Sequence, residues 1–413
     1  MIAVLVAILI LGRLAGSLWL SALNRSEVSR HADAPPPAAA AVMDGPTYSK
    51  AVAYTLARSL FGGVTEVFDA VVLAAAVLTG ALPALYRGVS GWGSPGSAWA
   101  GALFVVICGV LLSLLSLPFD AWEQFRIESR FGFNRTSPGL WAADKAKGLG
   151  LGLALGFPVV WALLALVGWV GPLWWVWGAV LVTAVQLVMI VLYPMLILPL
   201  FNRLEPLPEG ELRARLMALG EKTGFRAASI QVMDGSKRSG HSNAFFTGFG
   251  RFRRIVLFDT LVAQLSPLEL EAVLAHEIGH YRCGHIPKRL ALSTAGLFAC
   301  LAAVAALAGS AWFNPAFGYP AGAAAPALLL CGLLGGLVTF WLSPLFNGLS
   351  RRHEYEADAF ARDALGGPEG MVGALRKLAE KNLTNLTPHP WFSAFHYSHP
   401  TPFERERALT AAR

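Results

Sequence analysis

The sequence predicts a mainly α-helical integral membrane protein that carries an α+β domain outside the lipid. Of its 413 residues, 55% are hydrophobic and only 14% are charged, and the mean hydropathy is +0.53. That composition is too apolar for a soluble globular fold. The polar residues are concentrated in two segments, 203–289 and 347–413, which a long apolar stretch separates. We therefore expect several helices in a bilayer and one polar domain assembled from these two segments.

Seven apolar runs are each long enough, at about 20 residues, to cross the hydrocarbon of a bilayer as a helix. Arg13 interrupts the first run, and a cleaved signal peptide is the alternative there. A retained helix is favoured because no positively charged n-region precedes the apolar residues. In chain order, the expected transmembrane helices are Ile2–Leu23, Thr65–Leu85, Ser97–Leu117, Gly148–Val170, Trp174–Leu198, Leu290–Gly309 and Ala325–Phe346.

The basic residues that give the formal net charge of +7 are unevenly distributed between the expected spans, and their distribution indicates the membrane topology. Thirteen Lys and Arg residues lie between the fifth and sixth spans, whereas none lies between the fourth and fifth or between the sixth and seventh. Basic loops stay on the cytoplasmic side of a membrane, so the amino terminus is expected outside and both polar segments in the cytoplasm. The positive charge therefore indicates a lipid bilayer, and no nucleic acid, as a partner.

This topology divides the chain into four parts. Residues 1–202 hold transmembrane helices one to five with their cytoplasmic loops, and residues 290–346 hold helices six and seven. Residues 203–289 and 347–413 form the first and second parts of one polar domain. The run Pro35–Pro37, with its flanking alanines, is typical of a flexible cytoplasmic linker or lid. In the polar domain we expect a helix at Pro208–Gly224, strands at Ser229–Met233, Asn243–Gly248 and Arg253–Asp259, and a polar turn at Lys237–Ser242.

The most informative motif is His276-Glu277-Ile278-Gly279-His280, an HExxH sequence. Two imidazoles four residues apart share one helical face, so both can bind one zinc ion. Glu277 then lies where it can take a proton from zinc-bound water. A chance match on an amphipathic surface helix is the alternative. Ser266, Pro267 and Glu269 argue against it, because they form a capping box that places the motif in the middle of a helix.

A catalytic zinc needs a third protein ligand and one open position. His285 lies nine residues after His276, about half a turn round a continuous helix, and is the weaker candidate. Glu354 is the stronger candidate, because Asp358 lies one helical turn after it and can hold a ligand histidine by its other ring nitrogen. An ordinary solvated helix with alternating charges is the alternative for this segment.

Several other side chains near these motifs are weaker candidates. His353 and Glu356, on either side of Glu354, are rival ligands that rank lower. Cys283 could bind a metal as a thiolate, but an inert, buried cysteine is favoured. The chain has four cysteines and no C-x-x-C pair, so neither a disulfide framework nor a cysteine zinc site is indicated.

Beyond these motifs, the sequence resembles the type I CAAX prenyl proteases over nearly its whole length. The resemblance runs from Gly132-Phe133-Asn134 to the tail Tyr397-Ser398-His399-Pro400 and Glu404-Arg405, in the same order. It departs from the usual residues only at His353 and Glu356, neither of which is an expected ligand. The other matched segments are Tyr193-Pro194, Pro199 to Asn202, Ser242 to Phe246, Arg254 to Leu261, His276 to His285, Arg351-Arg352, Glu354 and Ala357 to Ala361.

The resemblance implies a specific architecture and metal site. Seven helices would enclose a water-filled chamber, with a gluzincin-type α+β zinc metallopeptidase domain on the cytoplasmic side. One zinc ion per chain would be held by His276, His280 and Glu354, with Glu277 as the catalytic general base.

The resemblance also implies roles for residues beyond the zinc ligands. Asn243 and Ala244 would lie on an edge strand that pairs with an extended substrate. His399 would be catalytic, as a donor to the oxyanion of the tetrahedral intermediate, and a satisfied loop histidine is the alternative. Arg405 would lie close to the site, to bind a substrate carboxylate or to support the structure.

Together these observations predict a membrane-embedded zinc metalloendopeptidase that cleaves near the carboxyl terminus of CAAX-type peptide or protein substrates. A quality-control protease for membrane proteins, with the same site, is one alternative. A transporter or scaffold with a structural zinc is another. Arginine outnumbers lysine 25 to 8, and alanine and glycine are abundant, which is typical of a GC-rich bacterial genome. We therefore expect a bacterial inner membrane, or the endoplasmic reticulum membrane for a eukaryotic chain.

Overall fold

The structure, a computed structural model, describes residues 1–93, 96–225, 229–247 and 254–411. Most of these residues are helical, and the named strands lie in a single sheet. Long apolar helices, with short helices between them, make up most of the first half of the chain. They are α1 Ile2–Arg30, α2 Pro37–Ala40, α3 Gly45–Leu78, α4 Ala81–Ser90, α5 Ala98–Trp122, α6 Ser129–Phe131, α7 Pro138–Val170, α8 Trp174–Leu192 and α9 Leu198–Phe201.

Within the described ranges, six helical segments are long and apolar enough to cross a membrane, by length and composition. One of them, Pro138–Phe201, is 64 residues long and contains both the fourth and the fifth expected span. A 3-10 turn at Gly171–Leu173 interrupts it between the two. The multi-pass, mainly helical architecture is therefore confirmed, whereas seven crossings and their sidedness stay predictions.

The second expected span, Thr65–Leu85, is wrong in its bounds. The helix α3 begins well before it and ends before α4 opens. Asp44 stabilises the early start, because its carboxylate accepts a hydrogen bond from the Thr47 amide at 2.8 Å. Hydropathy does not detect such a polar cap, so only the apolar part of the helix can be predicted from it.

The run Pro35–Pro37, expected to be a flexible cytoplasmic linker or lid, leads into a short helix, and its flexibility stays a prediction. Pro37 opens the short helix α2, and Ala39 in that helix is fully buried. The segment packs in a cluster that includes Tyr48 and Leu383. Ala39 is small enough to fit between these larger side chains, so its burial packs this flank of the run against the rest of the protein.

Four strands form the sheet: β1 Leu204–Pro206, β2 Ser229–Met233, β3 Ala244–Thr247 and β4 Arg254–Phe258. Their order is β1–β2–β4–β3, with β2 and β4 parallel and the two outer strands antiparallel to their neighbours. The three expected strands are confirmed, although Gly248 and Arg253 at their expected ends lie outside the described residues. The sequence does not predict β1, because three residues are too few to show an alternating pattern.

The remaining helices pack around the sheet or continue the apolar region. The expected helix Pro208–Gly224 is confirmed as α10, with slightly shorter bounds. The helices are α10 Glu211–Lys222, α11 Asp259–Gln264, α12 Pro267–Arg282, α13 His285–Gly309, α14 Phe313–Ala316, α15 Ala324–Leu365, α16 Glu369–Lys381, α17 Pro390–His396 and α18 Pro402–Ala411.

The helix α15 connects the apolar region to the polar domain. It has 42 residues and includes both the expected span Ala325–Phe346 and the segment around Glu354, without a break. Glu354 therefore lies on the same continuous helix whose amino-terminal part packs among the apolar helices. The four-part division of the chain remains a prediction.

The helix α12, which carries the HExxH motif, lies in the core of the polar domain. Leu270, Leu274 and Ile278 are almost fully buried and share a cluster with Ile255 and Leu257 of β4. Removing these apolar side chains from water stabilises the packing of α12 on the sheet. The opposite face of the same helix is left to meet α15.

Candidate metal centre

The capping box predicted at the start of α12 is present. Ser266 Oγ accepts a hydrogen bond from the Glu269 amide at 3.4 Å, and Glu269 Oε2 accepts one from the Ser266 amide at 2.7 Å. Lys377 of α16 donates a further hydrogen bond to Glu269 Oε2 at 2.7 Å. These contacts set the first turn of α12, so His276 and His280 fall in its last turns on the face that meets α15.

His276, His280 and Glu354 each place one potential ligand atom within 4.8 Å of the others. The two histidine Nε2 atoms lie 3.2 Å apart, and each lies 3.3 Å from one of the two oxygens of Glu354. Glu354 is only 1% exposed and His276 only 6%. The structure therefore brings together the three residues predicted as ligands, from two helices far apart in sequence.

Asp358 contacts His276 on the side opposite to the other two residues. His276 Nδ1 lies 2.8 Å from Asp358 Oδ1. An ionised carboxylate only accepts hydrogen bonds, so Nδ1 carries the proton and the Nε2 lone pair faces His280 and Glu354. This is the position that the sequence predicts for Asp358.

Arg405 of α18 holds the Asp358 carboxylate from behind. It donates to Asp358 from Nε at 2.8 Å and from Nη2 at 2.6 Å, a paired contact of the strong charge-assisted kind. Its Nη2 is also 3.2 Å from His276 Nδ1, and its Nη1 is 3.8 Å from Glu354 Oε2. Arg405 is 8% exposed, so most of its donors are committed within the protein.

The three converging side chains fit a divalent cation. Two histidine Nε2 atoms and a carboxylate face one another, and the buried Glu354 Oε2 has no hydrogen-bond partner among the described residues. Burial alone would lower the pKa of His276, but its contacts with Asp358 and Glu354 outweigh burial and raise it. The cluster therefore favours positive charge at its centre, and two imidazoles with one carboxylate are typical ligands of catalytic zinc.

His285 does not join these three residues, but it lies against His280. Its Nδ1 is 2.9 Å from His280 Nδ1, and its Nε2 is 3.0 Å from Glu356 Oε2. In one continuous helix His285 would lie about half a turn from His276, whereas Gly284 adopts φ +69° and starts α13 in a new direction. Helical spacing does not predict this contact, and the glycine just before His285 is the sequence signal that points to it. Cys283 also lies outside the group of three.

Glu277 and His399 border the three residues on the open side. Glu277 is partly exposed, and removal of its carboxyl from bulk water raises its pKa, although His276 and His280 oppose the shift. His399 Nε2 lies 3.4 Å from Glu354 Oε1, while its side chain is 63% exposed. Its Nδ1 lies 3.0 Å from Ser398 Oγ. Both predicted catalytic side chains therefore lie where a substrate could reach them.

Asn243 and Ala244 lie at the start of the edge strand β3. The Asn243 carbonyl accepts a hydrogen bond from the Phe258 amide at 3.1 Å, which ties the inner side of this segment to β4. Ala244 packs against the same core as Leu274 of α12. Among the described strands, none pairs with the outer side of β3. That side is geometrically able to accept an extended peptide.

Two cavities lie between the apolar helices and the polar domain. Their volumes are about 560 Å³ and about 530 Å³, and both are lined by Tyr54, Arg58, Glu123 and His241. Their linings include charged side chains, which indicates a hydrated interior. His241 precedes Asn243 by two residues, so the cavities extend towards the edge strand.

Two family models match the chain. Residues 24–203 match the one described as CAAX prenyl protease N-terminal, five membrane helices, and residues 206–413 match peptidase family M48. CAAX prenyl protease 1 of Saccharomyces cerevisiae is 33% identical, over 91% of this chain and 88% of that protein. The CAAX prenyl protease 1 homolog of Homo sapiens is 31% identical over the same shares.

A solved structure agrees with these matches. The crystal structure of S. mikatae Ste24p is similar with a TM-score of 0.90 at 29% identity, and the match covers 98% of each chain. The likeness thus extends over the apolar helices, the sheet and the helices that carry His276, His280 and Glu354. The chain therefore belongs to peptidase family M48 and, within it, to the type I CAAX prenyl proteases, which are multi-pass membrane metallopeptidases.

Proposed function

We propose that the protein is a zinc endopeptidase that cleaves near the carboxyl terminus of CAAX-type substrates. The observation that carries this proposal is the convergence of His276, His280 and Glu354 next to Glu277. These three residues would hold one zinc ion and leave a position open to substrate. When bound, zinc supplies Lewis-acid chemistry, which polarises a carbonyl group and acidifies water.

Glu277 is the proposed general base and acid. It takes a proton from the attacking water, holds it on its carboxylate, and passes it to the nitrogen of the leaving amine. Its raised pKa supports this role, because a carboxyl group that holds a proton more readily is better suited to accept one and return it. His399 is the proposed oxyanion donor, since its exposed Nε2 lies close to Glu354 at the mouth of the site.

The substrate backbone is proposed to pair with the outer side of β3, beginning at Asn243 and Ala244. Strand addition presents different sequences in one backbone geometry, which suits a protease. Arg405 is proposed to act mainly by holding Asp358. Its Nη1 is the donor group not bonded to Asp358. The alternative role that the family resemblance implies, binding of a substrate carboxylate, would use this Nη1 group.

The choice of CAAX substrates is supported by the names of the yeast and human relatives, which match over nine-tenths of this chain. The two hydrated cavities support a chamber enclosed by the apolar helices. We further propose that seven helices cross the bilayer, with the amino terminus outside and the metal site in the cytoplasm. The membrane would be the inner membrane of a bacterium, or the endoplasmic reticulum membrane if the chain is eukaryotic.

Replacing the proposed base tests the mechanism. Purified Glu277→Gln protein should bind as much zinc as the wild type and lose peptide cleavage, because an amide cannot accept the proton. Glu205→Gln is a matched control, since Glu205 is exposed on β1 and its change removes the same charge. Undiminished cleavage by Glu277→Gln would refute the assignment.

The substrate class needs a separate comparison. The wild-type protein is given a farnesylated CAAX peptide, the same peptide without the lipid, and an unfolded membrane protein. Faster cleavage of the farnesylated peptide is the expected result. Preferential cleavage of the unfolded membrane protein would instead indicate a quality-control protease with the same site. No cleavage of any substrate by zinc-loaded protein would favour a structural zinc.

A further inference from the structure

Among the described residues, none gives His280 Nδ1 a carboxylate partner of the kind that Asp358 gives to His276. Its Nδ1 instead lies 2.9 Å from Nδ1 of a second histidine, His285. The side chain of His285 is only 1% exposed and its Nε2 lies 3.0 Å from Glu356 Oε2. His280, His285 and Glu356 therefore form a continuous chain of contacts that leads away from the metal site.

The positions of the protons in this chain follow from the chemistry of its outer end. The Glu356 carboxylate only accepts, so His285 Nε2 must carry a proton and donate it. A neutral imidazole has one donor and one acceptor nitrogen, which leaves His285 Nδ1 as an acceptor. His280 Nδ1 must then be the donor in the contact of 2.9 Å. His280 Nε2 is left unprotonated and faces Glu354, at 3.3 Å from its Oε1.

Glu356 is held in place from its other side. Arg352, one helical turn earlier on α15, donates from Nε to Glu356 Oε1 at 3.1 Å, while Oε2 faces His285. Both oxygens of the Glu356 carboxylate are thus engaged as acceptors.

The ring of His285 is also fixed by packing. It stacks on the ring of His353, with ring centroids 4.1 Å apart and an angle of 16° between the planes. Parallel rings do not direct two nitrogens at one point, so this pair is not suited to bind a second ion. Gly284, with φ +69°, sets the chain direction that brings His285 under His280.

We propose that His285 and Glu356 are positioning residues that orient His280 and keep its Nε2 unprotonated for the metal. This inference rests on the proposed function, because it assigns a purpose to the tautomer of a proposed zinc ligand. The two ligand histidines would then be supported differently: His276 directly by a carboxylate, and His280 by a carboxylate acting through an intervening imidazole. Partners behind a ligand histidine typically contribute about 10–100-fold to metal affinity.

The test uses full-length protein in detergent and measures zinc affinity by competition with a chelator. His285→Phe keeps the ring stacked on His353 but removes the acceptor, and it should weaken zinc binding about 10–100-fold. His285→Gln keeps an acceptor oxygen and should recover much of the affinity. Cobalt-substituted protein gives a second measurement, because the absorption bands of the ion should shift in His285→Phe and return towards wild type in His285→Gln.

The matched control is His353→Phe, which preserves the stacked ring pair and leaves the chain from His280 to Glu356 intact. It should bind zinc and cobalt as the wild type does. Glu356→Leu provides a second route to the same conclusion if His285→Phe fails to fold, because Glu356 lies at the partly exposed end. It should also weaken zinc binding, whereas Glu356→Gln, which keeps an acceptor, should weaken it less.

The outcomes separate this inference from the proposed function. Wild-type zinc affinity and an unchanged cobalt spectrum in His285→Phe or Glu356→Leu would overturn the positioning role and leave the metal site intact. Equal loss in His353→Phe would also overturn it, since packing alone would then explain the effect. If wild-type protein binds no zinc, the proposed function itself fails.

Discussion

Gly279 of α12 lies directly against Ala357 of α15, with no room for a side chain between the two helices. A Cβ atom at Gly279 would lie 3.0 Å from both the Cα and the carbonyl oxygen of Ala357, which is itself fully buried. This close approach of two backbones lets Glu354 and Asp358, one turn apart on α15, reach both sides of His276. The absence of a side chain at Gly279, inside the motif, therefore lets α15 come close enough to place Glu354, the third proposed ligand, beside the two histidines.

Gly279→Ala should separate these two helices. The new methyl group would meet backbone atoms that cannot move aside, so we expect a loss of about 1–3 kcal/mol in stability, partly offset by the better helix propensity of alanine. Thermal unfolding and zinc affinity should both decrease. Gly348→Ala, which changes a glycine of α15 that has open space around it, is the control and should not weaken either. Unchanged zinc affinity in Gly279→Ala would contradict the proposed need for close packing.

Arg405→Lys tests which role of this arginine dominates. Lysine cannot reproduce the paired hydrogen bonds to Asp358 at 2.8 Å and 2.6 Å. We expect zinc affinity to fall about 10-fold, while the KM values for a peptide with a free carboxylate and for its amide change by the same factor. A KM that rises only for the free carboxylate would show instead that Arg405 binds the substrate terminus.

His399→Ala should impair turnover without removing the metal. Its imidazole is largely exposed and borders Glu354, so its loss leaves the three proposed ligands in place. We expect kcat to fall about 100-fold, as for loss of an oxyanion donor, with KM and zinc content nearly unchanged. His399→Gln retains a donor and should be less impaired. A large loss of zinc in His399→Ala would assign the residue to the metal site.

Glu269 should make stability depend on pH. Burial alone would raise its pKa, but hydrogen bonds from Lys377 and Ser266 outweigh burial and lower it. A lowered pKa in the folded state stabilises the fold above the unfolded value, about 4.3, and this contribution is lost as the pH falls further. The melting temperature of wild type should therefore exceed that of Glu269→Gln at pH 7, and the difference should shrink below about pH 4. A constant difference would exclude this linkage.

Local interactions explain what could be predicted of the site from sequence. The capping box of Ser266 and Glu269 joins residues three apart, and the spacing of His276 and His280 puts them on one helical face. The pairing of Glu354 with Asp358 likewise spans one turn. Each of these relationships depends on the geometry of a single helix, so residue types and spacing are sufficient to predict it.

Other features depend on how separate elements meet. The place of His285 does not follow from helical spacing, because the left-handed Gly284 redirects the chain just before it. The hydrogen bonds from Arg405 to Asp358 join residues that are 47 apart in the chain, and no periodic sequence pattern predicts such a contact. The early start of α3 depends likewise on a polar cap, and the packing of α2 depends on the buried Ala39. Hydropathy registers neither feature.

The amino-acid sequence by itself determined that this is a membrane protein with an HExxH helix and a second helix bearing the acidic ligand. Only the tertiary structure decided how the two helices meet, which groups support each ligand histidine, and which donors are already committed. The physical reason is range: helix caps and helical faces arise from neighbours in the chain, whereas ligand geometry arises from packing between distant segments.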